Sequence, residues 1–393
     1  MYILETFEKF RNYIYFYQNL IIVFGLLISF FGGSWDITFH LLSKPESFFS
    51  IPHFLVYSGI FIIIFTFYFN IKKNWNFKKD KDHLLIFIGT IIILLAGPFD
   101  FGWHSIFGLD GLLSPPHLTL SVGWLFVGLG IIKNTLNSVK STINFNKLKD
   151  AGKVCGVKEE EQNDRNGIEN DRIDKNSKLS KLKKLELILE FSFILMILSG
   201  LIYFFSLPFS ETNYYNFNPH PIIALILSVI GFPLLFSWYF NKIISIFSNQ
   251  FGIITCVGIT YISTILLSQI IPNPFIINFT GFYLLNIIPF LIVDILFVKK
   301  NYMQIRGKKI RSLKSRIVSG LIIGICAYSI CFPLNTYIYN EVLYDYQITQ
   351  DRVLGIYIEN LSDNYFFVIV FSITGVIIGS VLDKELYNNK KTT

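Results

Sequence analysis

The chain has 393 residues, of which 52% are hydrophobic and only 16% are charged, which excludes an ordinary soluble domain. The net charge of +7 does not indicate a nucleic-acid partner, because the basic residues lie between apolar runs and form no basic face or known motif. The four cysteines include no CxxC pair and none lies in a predicted outer loop, so no disulfide framework is predicted. The composition predicts a protein embedded in a lipid bilayer.

A membrane-spanning helix needs about 20 consecutive apolar residues. The runs of that length predict an all-α, polytopic transmembrane helix bundle with about ten spans. The predicted spans are 18–41, 51–71, 83–106, 115–137, 185–207, 219–240, 250–271, 275–298, 316–337 and 364–383. Lys and Arg concentrate in alternate loops, which predicts a multi-pass protein of the cell membrane with both termini in the cytoplasm.

A charged, Asn-rich segment at 138–184 separates two groups of spans. It is too poor in apolar residues to fold alone, and we interpret it as a cytoplasmic linker. The predicted domains are therefore a four-helix metal-binding membrane domain at 1–137, the linker, and a six-helix membrane domain at 185–393. In the span at 275–298, Asp294 is close enough to the end for its carboxylate to reach the membrane interface.

The first four spans contain an internal repeat with an offset of 64 residues. GGSWDITFH at 32–40 aligns with AGPFDFGWH at 96–104, and SIPH at 50–53 aligns with SPPH at 114–117. Each copy is a tandem helical hairpin, at about 18–71 and 83–137. Both copies have the spacing Asp-x3-His-x12-His, which is formed by Asp36, His40 and His53 and by Asp100, His104 and His117.

This spacing brings three polar side chains of each hairpin together near the outer leaflet. The Asp and the first His are four residues apart and share a helix face, and the last His follows a Pro at the start of the returning helix. An ionisable residue at the membrane centre costs about 2.5–3.5 kcal/mol and needs a partner. We therefore predict two metal sites; the main alternative is a set of Asp–His hydrogen bonds that hold the hairpins together.

Two histidines and a carboxylate suit copper, iron or zinc. Four histidines on four helices also suit the axial ligation of two haems, although an Asp one turn away fits haem poorly. His220 lies in a weaker third match to the repeat and is a further candidate ligand on the outer side. The ligand types alone do not decide between these metals.

The duplicated motif, with Pro before each last His, resembles the C subunit of the copper membrane monooxygenases, which oxidise methane or ammonia. The resemblance covers residues 18–137 and implies that each triad matches one of two neighbouring copper sites. In the family the second triad begins with Asn and has one more residue before its last His, whereas both triads here begin with Asp and have equal spacing. Family members act with two partner subunits, so the resemblance also implies membrane-protein partners.

Three functions follow from these observations. The leading hypothesis is a copper-dependent, monooxygenase-like oxidoreductase that oxidises a small membrane-soluble substrate with electrons from an external donor. The second is uptake of copper or its delivery to another oxidase, which the small number of Met residues disfavours. The third is a proton-coupled transporter with an Asp/His relay, which the common depth of the two triads disfavours. The sequence identifies no catalytic residue beyond the metal ligands.

Overall fold

The computed structural model is helical, with no strand among the residues that it describes. Those residues are 2–41, 47–71, 80–108, 113–150, 165–206, 221–247, 251–299, 317–318, 320–321 and 365–388. The helices are α1 (Tyr2–Phe16), α2 (Gln18–Leu41), α3 (Ile51–Ile71), α4 (Lys81–Phe107), α5 (Pro115–Asp150), α6 (Arg165–Ser206), α7 (Pro221–Phe247), α8 (Ile253–Ile270), α9 (Thr280–Leu285), α10 (Ile288–Val293) and α11 (Tyr365–Asn388).

In the described part of the chain, eight helices are long and apolar enough to cross a membrane. Their apolar stretches are 18–39, 51–69, 81–107, 115–137, 182–202, 226–244, 253–270 and 365–382. Each stretch overlaps a predicted span, because a continuous apolar run of this length satisfies its backbone hydrogen bonds only as a helix in lipid. The prediction of an all-α polytopic bundle is confirmed.

Two predicted spans have a different outcome. The segment 275–298 is not one helix but a series of short ones: a 3₁₀ helix at Pro274–Phe279, then α9, α10 and a π-helical turn at Asp294–Lys299. Pro274 and Pro289 lie in the first turns of two of these pieces, where their missing N–H is tolerated, and Pro289 coincides with the start of α10. The predicted span at 316–337 lies outside the described residues except at 317–318 and 320–321.

Asp294 is buried and does not reach the interface as predicted. Its Oδ2 atom accepts hydrogen bonds from the backbone N–H of Thr255 at 2.7 Å and from the Thr255 hydroxyl at 2.5 Å. Thr255 is in the first turn of α8, where N–H groups have no partner within the helix and the helix dipole favours a negative charge. The carboxylate therefore ties the π-helical turn to α8.

The two N-terminal hairpins are closed by glycine pairs. Helices α2 and α3 meet at Gly25 and Gly59, and α4 and α5 meet at Gly89 and Gly123. A Cβ atom added at Gly25 would lie 2.8 Å from the carbonyl oxygen of Gly59, and one added at Gly89 would lie 2.6 Å from that of Gly123. The paired helices thus touch through their backbones, as small residues allow in membrane bundles.

The segment 138–184 is partly helical, because α5 continues to Asp150 and α6 begins at Arg165. Helices α6 and α8, from the C-terminal part of the chain, pack against α2. The Ser34 and Ser268 hydroxyls lie 2.7 Å apart across the α2–α8 contact. Helices from the N-terminal and C-terminal parts of the chain thus share an interface. The domain boundaries and the cytoplasmic position of the linker stay predictions.

Candidate metal centre

The end of α4 and the start of α5 bring together Asp100, His104 and His117. The Oδ1 atom of Asp100 lies 3.4 Å from Nε2 of His104 and 3.3 Å from Nε2 of His117. One ligand atom from each of the three side chains lies within 4.8 Å of the other two. These residues, which we call the second site, form a candidate Asp/His/His metal centre.

The spacing of these atoms fits the ligands of one metal ion. Two ligands at about 2.0–2.1 Å from a tetrahedral ion lie roughly 3.3–3.4 Å apart, and the two measured separations match that value. A charge-assisted N–H···O bond is shorter, at about 2.7–2.9 Å. The three side chains are only 17%, 5% and 15% exposed, in chain order, so solvent does not compete strongly for them.

A backbone carbonyl fixes the orientation of the His104 ring. Its Nδ1 atom lies 2.9 Å from the carbonyl oxygen of Gly108, and because a carbonyl only accepts, Nδ1 carries the proton and donates. In the neutral ring Nε2 then directs its lone pair towards Asp100. Gly108 ends α4 with φ of 78°, a conformation that favours glycine. Metal-binding histidines usually make such a second hydrogen bond.

Asp36 and His53 form a matching pair at the end of α2 and the start of α3, which we call the first site. Nε2 of His53 lies 3.2 Å from Oδ1 of Asp36, and its Nδ1 donates to the carbonyl oxygen of Ser47 at 3.1 Å. The backbone of His40 is in the last turn of α2, but its side chain lies outside the described part of the structure. His220 also lies outside the described residues.

Both sites border one cavity of about 260 Å³. Asp36 and His53 line it from the first hairpin, and Asp100 and His117 line it from the second. Most of the remaining wall is apolar and comes from α2 to α6 and from α8. An apolar cavity of about 150 Å³ already holds a benzene molecule, so this one has room for a single small organic molecule.

Tyr57 also lines the cavity, although no pattern in the sequence pointed to it. Its phenol is close enough to interact electrostatically with both Asp100 and Asp36. In the second copy of the repeat, Ser121 is at the position equivalent to Tyr57. A comparison of the two copies therefore does not single out Tyr57. Gly97 makes room for it, because an added Cβ at Gly97 would overlap the Tyr57 hydroxyl.

Three further cavity-lining residues come from the C-terminal part of the chain, to which the sequence analysis assigned no function. They are Tyr261 and Gln269 on α8 and Tyr283 on α9. Each is separated from the two motifs by more than a hundred residues, and no spacing pattern connects them. The packing of α8 against α2 and α6 places them beside the candidate sites.

We expect Gly97→Ala to destabilise the protein by about 1–3 kcal/mol, because the added methyl group forces Tyr57 out of its position. Tyr57→Phe should recover part of this loss in the double variant, since it removes the atom nearest to the new methyl group. Gly33→Ala is the matched control, because an added Cβ at this equivalent position meets no described atom within 4 Å. Equal melting temperatures of Gly97→Ala and Gly33→Ala in the same detergent would contradict this packing.

Comparisons with protein-family models, with curated proteins and with solved structures found no match for this chain. The resemblance to the C subunit of the copper membrane monooxygenases therefore stays a prediction from the duplicated motif.

Proposed function

We propose that this chain is an integral membrane metalloprotein that binds copper at two Asp/His/His sites near the outer leaflet. The supporting observation is that Nε2 of His104 and Nε2 of His117 both face Oδ1 of Asp100. The His104 lone pair and the carboxylate repel each other unless a positive charge lies between them. One metal ion meets this need for all three side chains, whereas without a metal an additional proton must be held between Asp100 and His104, as an imidazolium or a carboxylic acid.

The repeat supports a second copper site of the same kind. Nε2 of His53 lies 3.2 Å from Oδ1 of Asp36, close to the 3.3 Å between the equivalent atoms of His117 and Asp100 in the second hairpin. His40 completes this triad by its alignment with His104. We favour copper among the metals that suit two imidazoles and a carboxylate because divalent copper binds such sites most tightly. Three protein ligands leave a position open for a reactant.

We further propose that the protein oxidises a small, membrane-soluble molecule in the cavity. Copper would supply one-electron chemistry with molecular oxygen there. The Nδ1–H bonds of His53 and His104 hold the two rings in place, and apolar side chains such as Ile93 and Leu120 keep water away from the reacting molecule.

Insertion of one oxygen atom of O₂ into a C–H bond consumes two electrons and two protons and releases water. An external electron donor, carried by or docked through a membrane-protein partner, is therefore part of the proposal.

Elemental analysis of the full-length protein, purified in mild detergent, tests the metal sites. We expect about two copper ions per chain in the wild type, about one in His40→Ala or His104→Ala, and none in the double variant, because each His is a direct ligand. His83→Ala is the control, since His83 lies at the opposite end of α4 beside Asp82 and Asn19.

Other results would favour the alternatives. Copper that exchanges readily, in a protein without oxidase activity towards any membrane-soluble substrate, would favour uptake or delivery. A metal-free wild type whose proton-coupled transport is lost in the histidine variants would favour an Asp/His relay. A metal-free wild type whose variants are merely less stable would leave the triads as hydrogen bonds between helices.

A further inference from the structure

The C-terminal part of the chain contributes a buried polar pair to the cavity wall. The Tyr283 hydroxyl donates a hydrogen bond to Oε1 of Gln269, and both side chains line the cavity. Gln269 is 1% exposed and Tyr283 is 3% exposed. Gln269 is in the last turn of α8, and Tyr283 is on the short helix α9.

This pair lies at the same level as the first site. Ser268, the neighbour of Gln269, is within hydrogen-bonding distance of Ser34, and Ser34 is two residues before Asp36. A second polar pair, the Ser199 and Tyr261 hydroxyls, which lie 3.0 Å apart, is deeper, since eight residues of α8 span about 12 Å. The cavity therefore has polar groups from both parts of the chain at its outer end.

The Tyr283–Gln269 pair is a polar feature of a mostly apolar cavity wall. Binding sites for small organic molecules typically combine apolar walls with a few polar groups that fix the orientation of the ligand.

We propose that Gln269 and Tyr283 form a polar subsite for the hydroxyl group of a small alcohol or phenol. The amide of Gln269 both donates and accepts hydrogen bonds, which matches a hydroxyl group. The apolar body of the ligand then packs against apolar wall residues such as Trp124 and Leu120. The binding of this molecule to the subsite does not depend on the proposed function. Its role as the substrate of the copper sites does rest on the proposed function.

A pair of brominated probes tests the subsite on the full-length protein as it is purified in mild detergent. 4-Bromophenol and bromobenzene share a ring and a bromine atom and differ in one hydroxyl group. Bromine quenches tryptophan fluorescence, and Trp124 lines the cavity. The part of the quenching that is absent in the Trp124→Phe variant therefore reports binding in the cavity. Comparison of each variant with the wild type in one detergent cancels the partitioning of the probes into micelles.

We expect the wild type to bind 4-bromophenol about tenfold more tightly than bromobenzene, as one buried hydrogen bond allows. Gln269→Leu should remove most of this preference and leave the affinity for bromobenzene unchanged. Tyr283→Phe should weaken the preference as well, and it carries the test if Gln269→Leu does not fold. Ser237→Ala, which removes a hydroxyl from the α7–α11 contact, is the control. Equal affinities in the wild type, or a preference kept in both cavity variants, would overturn the subsite.

Copper analysis of the same preparations separates this inference from the proposed function. A hydroxyl preference in a wild type that binds no copper would support the subsite and reject the copper sites. Two coppers per chain without a hydroxyl preference would reject the subsite alone. Gln269→Leu should keep the copper content of the wild type, because Gln269 is not a ligand in either site.

Discussion

Replacing Asp100 with Asn should empty the second site of copper and leave the first site loaded. Asp100 Oδ1 is the atom that both His104 and His117 face, so its replacement by a neutral amide removes the negative charge that the ion requires. Loss of an outer-shell partner alone costs about 10–100-fold in metal affinity, so loss of this ligand should exceed about 100-fold. Copper titration followed by elemental analysis measures the effect.

Asp36→Asn is the mirror experiment and should empty the first site alone. Asp82→Asn, at the opposite end of α4, should leave both sites loaded. Bound copper stabilises the folded state by mass action, so a chelator should lower the melting temperature of the wild type but not that of the Asp36→Asn/Asp100→Asn double variant. Full copper occupancy in Asp100→Asn would exclude this carboxylate as a ligand.

The features that local patterns determine could be predicted from the sequence. The span at 51–71 matches α3, because an uninterrupted apolar run specifies both the helix and its length. The i, i+4 spacing predicted that Asp100 and His104 share a helix face, and the short return to Pro116 predicted the approach of His117. These inferences depend only on helix geometry and on loop length.

The features that depend on distant contacts could not be predicted. Asp294 is held by Thr255, and Gln269 is placed beside the first site by the packing of α8 on α2. The hydropathy of 275–298 could not reveal that the segment is divided into short helices. Tyr57 was missed because it departs from the repeat, and the repeat was the signal from which the six candidate ligands were predicted.

The close approach of α4 and α5 should couple the stability of the second hairpin to metal binding at the second site. We expect Gly89→Ala to destabilise the protein by about 1–3 kcal/mol. Its added Cβ would lie 2.6 Å from the Gly123 carbonyl oxygen and 2.8 Å from the Val127 backbone nitrogen, and backbone atoms cannot rotate away as a flexible side chain can. The two helices must therefore separate, and the melting temperature in detergent should fall.

The same separation should weaken copper binding at the second site only. His117 is on α5 and Asp100 is on α4, so a shift between the helices lengthens the 3.3 Å distance between their ligand atoms, whereas Asp36 and His53 belong to the other hairpin. Gly102→Ala is the matched control on α4, because its added Cβ meets no described atom within 4 Å. If Gly89→Ala and Gly102→Ala have the same melting temperature and the same copper affinity, the glycine contact does not set the geometry of the second site.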